Sequence, residues 1–179
     1  MPRVNEFKRR TARAVAAAAV ATALISGCGA VNWIKNDGVS DPITPEQSKA
    51  QVVDAAKEIV GTLNLAVIKP VFYRGSCNDQ REPPFRGQAT IGYPKASSFE
   101  VSDAEVVEWV KKLQTKGWAA DDEFKTHATA LTKNGVTVAF QPQNNAIDTR
   151  VVYLYGECRD MTTTKETSGG NEPIDLSSP

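Results

Sequence analysis

The first 27 residues place five basic side chains ahead of an uncharged, alanine-rich run. The basic residues are Arg3, Lys8, Arg9, Arg10 and Arg13. The uncharged run extends from Ala14 to Ile25, and the small residues Ser26 and Gly27 follow it. This order is the layout of a secretory signal peptide. A membrane-spanning helix is the alternative, but it needs about 20 strongly apolar residues, and this run is mostly alanine. The sequence therefore predicts an exported chain with a signal peptide over residues 1–27.

Cys28 directly follows this segment and completes a four-residue motif. Ile25-Ser26-Gly27-Cys28 resembles the lipobox of bacterial lipoproteins, in which an aliphatic residue and two small residues precede the acylated cysteine. The resemblance implies a diacylglycerol on Cys28, cleavage before it and a further acyl chain on the new amino terminus. Because two or more acyl chains bind a membrane stably, we expect a lipid-anchored mature chain that does not span the bilayer. An unmodified Cys28 is the alternative, and Arg9-Arg10 leaves Sec and twin-arginine export open.

Two cysteines remain if Cys28 carries lipid. Cys77 and Cys158 are then expected to form a disulfide, because the chain lies outside the cytoplasm. The loop-entropy model assigns about 4–5 kcal/mol to closing a loop of about 80 residues, before native strain is subtracted. A redox pair or metal ligands are the alternatives. Neither cysteine belongs to a C-x-x-C motif, and a single histidine is too few for the usual zinc sites.

The charge balance of the mature chain bears on its partners. The full sequence has 21 Lys+Arg and 21 Asp+Glu, and the predicted signal peptide removes more basic than acidic residues. The remainder has no basic excess, so nucleic acid is a poor partner. A hydrophobic fraction of 41% is ordinary for globular proteins and excludes the fibrous and disordered classes.

Composition divides the rest of the chain into three segments. Residues 28–43 mix Gly, Asn, Asp and Pro without a period, which predicts a lipidated amino terminus and a tether. Residues 44–160 carry helical and strand patterns and are predicted to form one extracytoplasmic domain. Residues 161–179 are rich in Thr, Ser, Gly and Pro with few apolar residues, so they are predicted to be a disordered tail.

The predicted domain alternates helical and strand periods. Thr44-Pro45-Glu46-Gln47 has the form of a capping box before the first helix, and Asn134-Gly135 has the form of a tight hairpin turn. The strand-like segments are Leu65–Tyr73, Gln88–Tyr93, Lys125–Lys133, Val136–Gln141 and Thr149–Glu157. The order α-β-β-α-β-β-β predicts an α+β fold, with an antiparallel sheet of about five strands, two helices packed on one face and one disulfide. If Cys77 and Cys158 pair, the first and last strands are expected to be neighbours.

The second helix has start and stop signals of its own. Ser102 is the predicted cap, and Glu105 lies three residues later, where it completes a capping box. Gly117 can take the left-handed conformation that ends a helix, and Trp118 can then fold back on Leu113.

Few residues qualify for catalysis. Nucleophilic catalysis needs a histidine beside the nucleophile, and His127 is the only histidine in the sequence. A lone strand histidine is more often a surface or packing residue. Paired carboxylates could hydrolyse a glycosidic bond, but the run Asp121-Asp122-Glu123 is typical of a solvated turn, and Glu105 is assigned to the cap, which leaves Glu108 alone. We therefore predict no catalytic residue, no cofactor and no metal site.

The segment from Arg74 to Gly87 is the least ordinary part of the predicted domain. It is long for a loop, and long loops often carry recognition. Arg74, Arg81 and Arg86 surround a Pro83-Pro84-Phe85 tip, which would suit an envelope protein or an anionic surface. The alternative is a loop that Cys77 holds in place and whose charges pair with each other.

The layout of the whole precursor resembles the small actinobacterial, mycobacterial-type lipoproteins of the LppA-like family. The resemblance rests on Cys28, on Cys77 in YRGSCN and on Cys158 in YGEC. It implies an architecture and a location at the cell membrane, on the extracytoplasmic face, but no activity.

Two functions remain open at this stage. The first is a non-catalytic binding or accessory domain, with Tyr153, Tyr155 and Phe85 expected in an exposed patch. The second is a small cell-envelope hydrolase, which would bring two or more carboxylates together in a concave pocket.

Overall fold

The computed structural model of the chain describes residues 38–177. Its helices are α1 (Pro45–Leu63) and α2 (Phe99–Gln114). Its strands are β1 (Ile68–Ser76), β2 (Phe85–Pro94), β3 (Ala119–Ala120), β4 (Thr129–Lys133), β5 (Val136–Phe140), β6 (Thr149–Tyr155) and β7 (Glu172–Pro173). The strands form one antiparallel sheet in the order β3-β4-β5-β6-β2-β1-β7. The predicted α+β class is confirmed, with two short strands added to the expected five.

Helix α1 forms as the sequence predicts. The Thr44 backbone donates to Gln47 Oε1 at 2.8 Å, and the Gln47 backbone donates to Thr44 Oγ1 at 3.2 Å, so the capping box is complete. Asn64 ends the helix in the left-handed conformation, with φ 52°. The face that α1 buries consists of Ser48, Val52, Ala56, Ile59 and Leu63.

Helix α2 begins earlier than predicted. Ser98 is the cap, because its Oγ accepts from the Val101 backbone at 3.2 Å. The capping box assigned to Ser102 and Glu105 is therefore wrong. Ser102 is buried within the helix, and the Glu105 carboxylate pairs with Arg150 of β6. Serine is favoured at a helix N-cap, so the sequence allows either Ser98 or Ser102, and in the structure Ser98 is the cap.

The predicted end of α2 is confirmed. Gly117 has φ 87°, and the Trp118 backbone donates to the Leu113 carbonyl at 3.2 Å. Both Leu113 and Trp118 are buried, so the chain folds back over the last turn of the helix.

The β4–β5 hairpin turns at the predicted residues. Asn134 and Gly135 both have positive φ, 50° and 75°, as a tight two-residue turn requires. The strand before the turn begins at Thr129, whereas the sequence predicted Lys125. Residues 121–128 form a loop instead, which Asp121 organises by accepting from the Phe124 backbone at 3.1 Å.

Alternate residues of the central strands face the helices and form the core. In β2 every second residue from Phe85 to Tyr93 is buried, and in β6 the same holds for Arg150, Val152 and Leu154. Among them, Ala89, Ile91, Tyr93, Val152 and Leu154 form one hydrophobic cluster with Val52 and Ile59 of α1 and Leu113 of α2. Both helices therefore cover the same face of the sheet.

The disulfide between Cys77 and Cys158 is present, as predicted. It joins the start of the β1–β2 loop to the segment after β6. The expectation that β1 and β6 are neighbours is wrong, because β2 lies between them and pairs with both. Because β2 is antiparallel to both strands, β1 and β6 run in the same direction and finish at the same end of the sheet. The disulfide joins the two segments there, across the start of β2.

The prediction of a disordered tail is wrong for residues 161–177. Strand β7 pairs with β1, with Glu172 opposite Phe72 and Pro173 opposite Val71. Leu176 is 5% exposed and belongs to the core. Composition missed this segment because a single buried leucine and a two-residue strand leave no period to detect.

At the amino-terminal end of the domain, the last residue of the predicted tether contacts the fold. Ile43 donates its backbone N–H to the Arg159 carbonyl at 3.0 Å. Cys28 and residues 29–37 of the tether lie outside the described residues.

Candidate functional site

The sheet face that turns away from the helices carries most of the aromatic side chains that are not in the core. Strand register places Gln88 between Tyr73 and Tyr155, and Thr90 beside Tyr153. These side chains are partly exposed. We call this surface the open face, and it consists of Tyr73, Arg86, Gln88, Thr90, Thr137, Tyr153 and Tyr155 with Phe124 of the β3–β4 loop.

The aromatic rings of the open face form a continuous strip. The ring centroids of Tyr153 and Tyr155 are 6.2 Å apart, and Phe124 lies 5.1 Å from Tyr155. The Arg86 guanidinium lies over the Tyr155 ring, with Cζ 4.8 Å from the centroid. This arrangement is a cation–π contact on the middle ring of the aromatic row. The predicted patch thus contains Tyr153 and Tyr155, but Phe85 belongs to the core, where it is 3% exposed.

Arg86 is the basic residue of this surface. Its Nε is buried without a hydrogen-bond partner, and within residues 38–177 no carboxylate forms an ion pair with it. Burial lowers the pKa of Arg86, and the charges of Tyr155 and Tyr73 oppose that shift. Burial likewise raises the pKa of Tyr155, with Tyr73 adding to the rise and Arg86 opposing it. The site is a partly dehydrated guanidinium among tyrosines.

Two carboxylates close in sequence to open-face residues accept hydrogen bonds from groups other than Arg86. Asp121 Oδ2 accepts from Thr137 Oγ1 at 2.7 Å. Glu157 Oε2 accepts from Gln51 Nε2 at 2.8 Å and from Arg159 Nη1 at 3.1 Å. Both acidic groups therefore have other partners, and within residues 38–177 neither forms an ion pair with Arg86.

The predicted recognition loop does not exist in its expected form. Residues 74–76 extend β1 and residues 85–87 open β2, so the loop spans only residues 77–84. Asn78 organises it, because its Oδ1 accepts from the backbones of Gln80 and Glu82, both at 3.2 Å.

The three arginines of that prediction point to different surroundings. Arg74 lies on the helix side of the sheet, where Nη1 donates to Glu172 at 2.8 Å and the guanidinium lies 5.2 Å from the Phe72 ring. Arg81 is exposed at the loop tip with φ 61°. Only Arg86 reaches the open face. Consecutive strand residues alternate between faces, which separates Arg74 from Tyr73 and Phe85 from Arg86.

The residues considered for catalysis do not assemble into a nucleophile and base. His127 lines a small groove of about 170 Å³ together with Ser102 and Asp103. The Ser102 hydroxyl accepts from Arg150 Nη1 at 3.3 Å, and no hydrogen bond joins His127 to Ser102 within the described residues. Residues 38–177 also contain no group of three His, Cys, Asp or Glu side chains placed to hold a metal ion.

The sequence interpretation missed a buried arginine. Arg150 is 6% exposed and lies between Tyr93 and Trp109, with Cζ 4.7 and 5.3 Å from their ring centroids. Its Nη1 is 2.7 Å from Glu105 Oε2, and its Nε donates to the Pro94 carbonyl at 2.9 Å. Burial raises the pKa of Tyr93 to about 12, although Arg150 opposes the rise. The signal was available, because Arg150 has the same strand phase as Val152 and Leu154.

A second groove of about 260 Å³ lies between α1 and the β4–β5 hairpin. Four of its polar residues pair with one another. Lys133 Nζ is 2.6 Å from Glu58 Oε1, and Gln51 donates to the Asn134 carbonyl at 3.2 Å. The polar groups of these four residues are therefore engaged with each other. Separately, no helix within residues 38–177 is long and apolar enough to cross a membrane.

A disulfide-closed α+β domain behind a lipobox-like cysteine defines the class of protein, a bacterial lipoprotein. The family model described as "Putative lipoprotein LppJ" matches residues 44–177, and the chain belongs to this family. The mycobacterial-type resemblance is thereby confirmed, while the LppA-like label was only approximate.

Individual relatives agree with the family. The chain is 32% identical to "Putative lipoprotein LppJ" of Mycobacterium bovis over 166 residues, which cover 86% of this chain and 85% of the relative. It is 31% identical to the protein of the same description from Mycobacterium tuberculosis strain H37Rv, with the same coverage. No solved structure matches the chain.

Proposed function

We propose that the chain is a lipid-anchored binding domain on the extracytoplasmic face of the cell membrane and that its open face contacts an envelope partner without catalysis. The signal peptide and the lipobox-like motif that ends at Cys28 support the location. Membership of a lipoprotein family supports the same anchor.

The tether gives the domain reach from the membrane. Residues 28–40 would join the acylated cysteine to the contacts that begin the domain, where the Asp41 carbonyl accepts from Arg159 Nε at 2.8 Å and the Ile43 N–H donates to the Arg159 carbonyl. An extended chain spans up to about 3.3–3.6 Å per residue, so this segment could hold the domain some tens of ångströms above the lipid. The open face would then be accessible to proteins of the envelope.

The observation that carries the binding function is the aromatic strip of the open face. A row of tyrosines beside an arginine has the composition of binding hot spots, in which Tyr, Trp and Arg contribute most of the energy. Tyr153 and Tyr155 offer large rigid surfaces, and Arg86 offers a guanidinium that has no ion-pair partner in the described part of the chain. The hydrolase alternative depends on convergent carboxylates, and here Asp121 and Glu157 are held by other side chains.

Site-specific photo-crosslinking in cells tests this function. A photo-reactive phenylalanine analogue is placed at Tyr153 on the open face, or at Lys112 on the exposed side of α2 as the matched control. We expect a discrete crosslinked species from position 153 that position 112 does not give. Equal patterns from both positions, or no adduct at position 153, would contradict a binding role for the open face.

A further inference from the structure

We infer that the open face recognises an acidic side chain of an extended protein segment, and that Arg86 supplies the ion pair. This inference rests on the proposed binding function and adds the chemistry of the partner.

Arg86 is prepared to accept a carboxylate. Folding has already removed part of its hydration, as its buried and unpartnered Nε shows. The Tyr155 ring lies beneath the guanidinium, with Cζ 4.8 Å from the ring centroid, and restricts its movement. A planar guanidinium presents its donors in a fixed fork that matches a carboxylate, and a preorganised group loses less entropy on binding. A carboxylate would therefore bind more tightly to Arg86 than to a fully hydrated arginine.

No acidic side chain within residues 38–177 forms an ion pair with Arg86. Glu157 is held by Gln51 and Arg159, and Asp121 is held by Thr137 and the Phe124 backbone. By contrast, Arg74 on the opposite side of the same sheet is paired with Glu172. Within the described residues, Arg74 on the helix side therefore has an ion-pair partner, whereas Arg86 on the open face has none.

The spacing of the neighbouring rings favours an extended peptide. The centroids of Tyr153 and Tyr155 are 6.2 Å apart. Alternate side chains of an extended chain repeat at about 6.4–6.8 Å, so a peptide strand can place successive same-side residues against these rings. A lipid surface would instead favour a cluster of about four to eight basic residues. The residues around Arg86 are Tyr73, Gln88 and Tyr155, none of which is basic.

Peptide selection tests the inference on the full chain, purified from membranes in detergent. A phage-displayed library of random peptides is selected on the wild-type protein, and the selected peptides are measured on Arg86→Gln, Arg81→Gln and Tyr155→Ala. Arg81 is the matched control, because it is an exposed arginine at the loop tip, away from the open face. Each selected peptide is also measured with its acidic residue changed to the amide.

The inference predicts enrichment of Asp or Glu in the selected peptides. Binding should weaken about tenfold or more in Arg86→Gln and in the amide peptides, and stay unchanged in Arg81→Gln. The amide peptides keep the test valid even if Arg86→Gln fails to fold. Peptides that need Tyr155 but show no acidic enrichment and no loss in Arg86→Gln would overturn the inference and leave the binding function standing.

Two other outcomes would also be decisive. If no peptide binds above background, or if Tyr155→Ala binds every selected peptide like the wild type, then both the inference and the proposed function fail. If the selected peptides lack acidic residues and vesicles of phosphatidylglycerol displace them in an Arg86-dependent way, then the open face binds anionic lipid. That result would overturn the inference.

Discussion

A single buried carboxylate fixes the chain where it leaves the sheet after β6. Asp160 is 1% exposed, and its backbone exchanges hydrogen bonds with Phe85 at 2.7 and 3.1 Å. The carboxylate accepts from the backbones and hydroxyls of Thr162 and Thr163. Burial alone would raise the pKa of Asp160, but these hydrogen bonds outweigh burial and hold the pKa below its ordinary value of 3.8. The ionised form is therefore the one that the fold needs.

This shift predicts how the stability depends on pH. Because the pKa of Asp160 is lower in the folded than in the unfolded chain, its stabilising contribution is complete above its ordinary value of 3.8 and is lost as the pH falls through the folded pKa. We expect Asp160→Asn to be less stable than the wild type at neutral pH, and the difference in unfolding free energy to shrink as the solution is acidified below about pH 4. Urea denaturation at several pH values measures this. A difference that is constant down to pH 2, or grows on acidification, would show that the ionised carboxylate is not the stabilising form.

At the scale of elements, the carboxyl-terminal segment completes the sheet and the core. Strand β7 covers the outer edge of β1, and Glu172 joins Arg74 of β1 to Lys49 of α1. Leu176 then enters the core beside α1. Covering an edge strand also protects its free backbone groups from pairing with other chains. The segment is therefore a structural part of the domain.

Truncating one side chain tests that role. Leu176→Ala should lower the unfolding free energy by about 2–4 kcal/mol, because it removes a buried leucine from the core. Ile147→Ala is the matched control, since Ile147 is 43% exposed and should change stability by less than about 0.5 kcal/mol. Chemical denaturation of both variants gives the comparison. Equal and small effects would mean that residues 161–177 do not pack on the domain.

Elements with strong local signals were predictable, and elements defined by pairing were not. The capping box at Thr44 and the Asn134-Gly135 turn are encoded by neighbouring residues, and both form as predicted. The start of α2 was misplaced because Ser98 and Ser102 satisfy the same local rule. Strand β7 was missed because two residues have no period and take their structure from β1.

At the scale of the whole molecule, the sequence predicts the class of fold and the disulfide but only part of the site. Period and phase place Tyr153 and Tyr155 on one face of a strand, and that face is open. The grouping of Arg74, Phe85 and Arg86 failed, because a segment interpreted as loop became strand and alternation then sent its residues to opposite faces. Within the described residues Arg86 has no ion-pair partner, because Glu157 and Asp121 bind other side chains. Those partners are set by the tertiary structure and could not be read from the sequence.

The proposed binding role depends on the placement of the domain at the membrane, which the intact mass of the protein purified from its native membrane tests most directly. We predict a mature chain that begins at Cys28, carries the added mass of a diacylglycerol with or without a further acyl chain, and gains two hydrogens when the Cys77–Cys158 disulfide is reduced. A chain that retains residues 1–27, or that begins at Cys28 without lipid, would contradict the anchor and with it the account of where the open face is displayed.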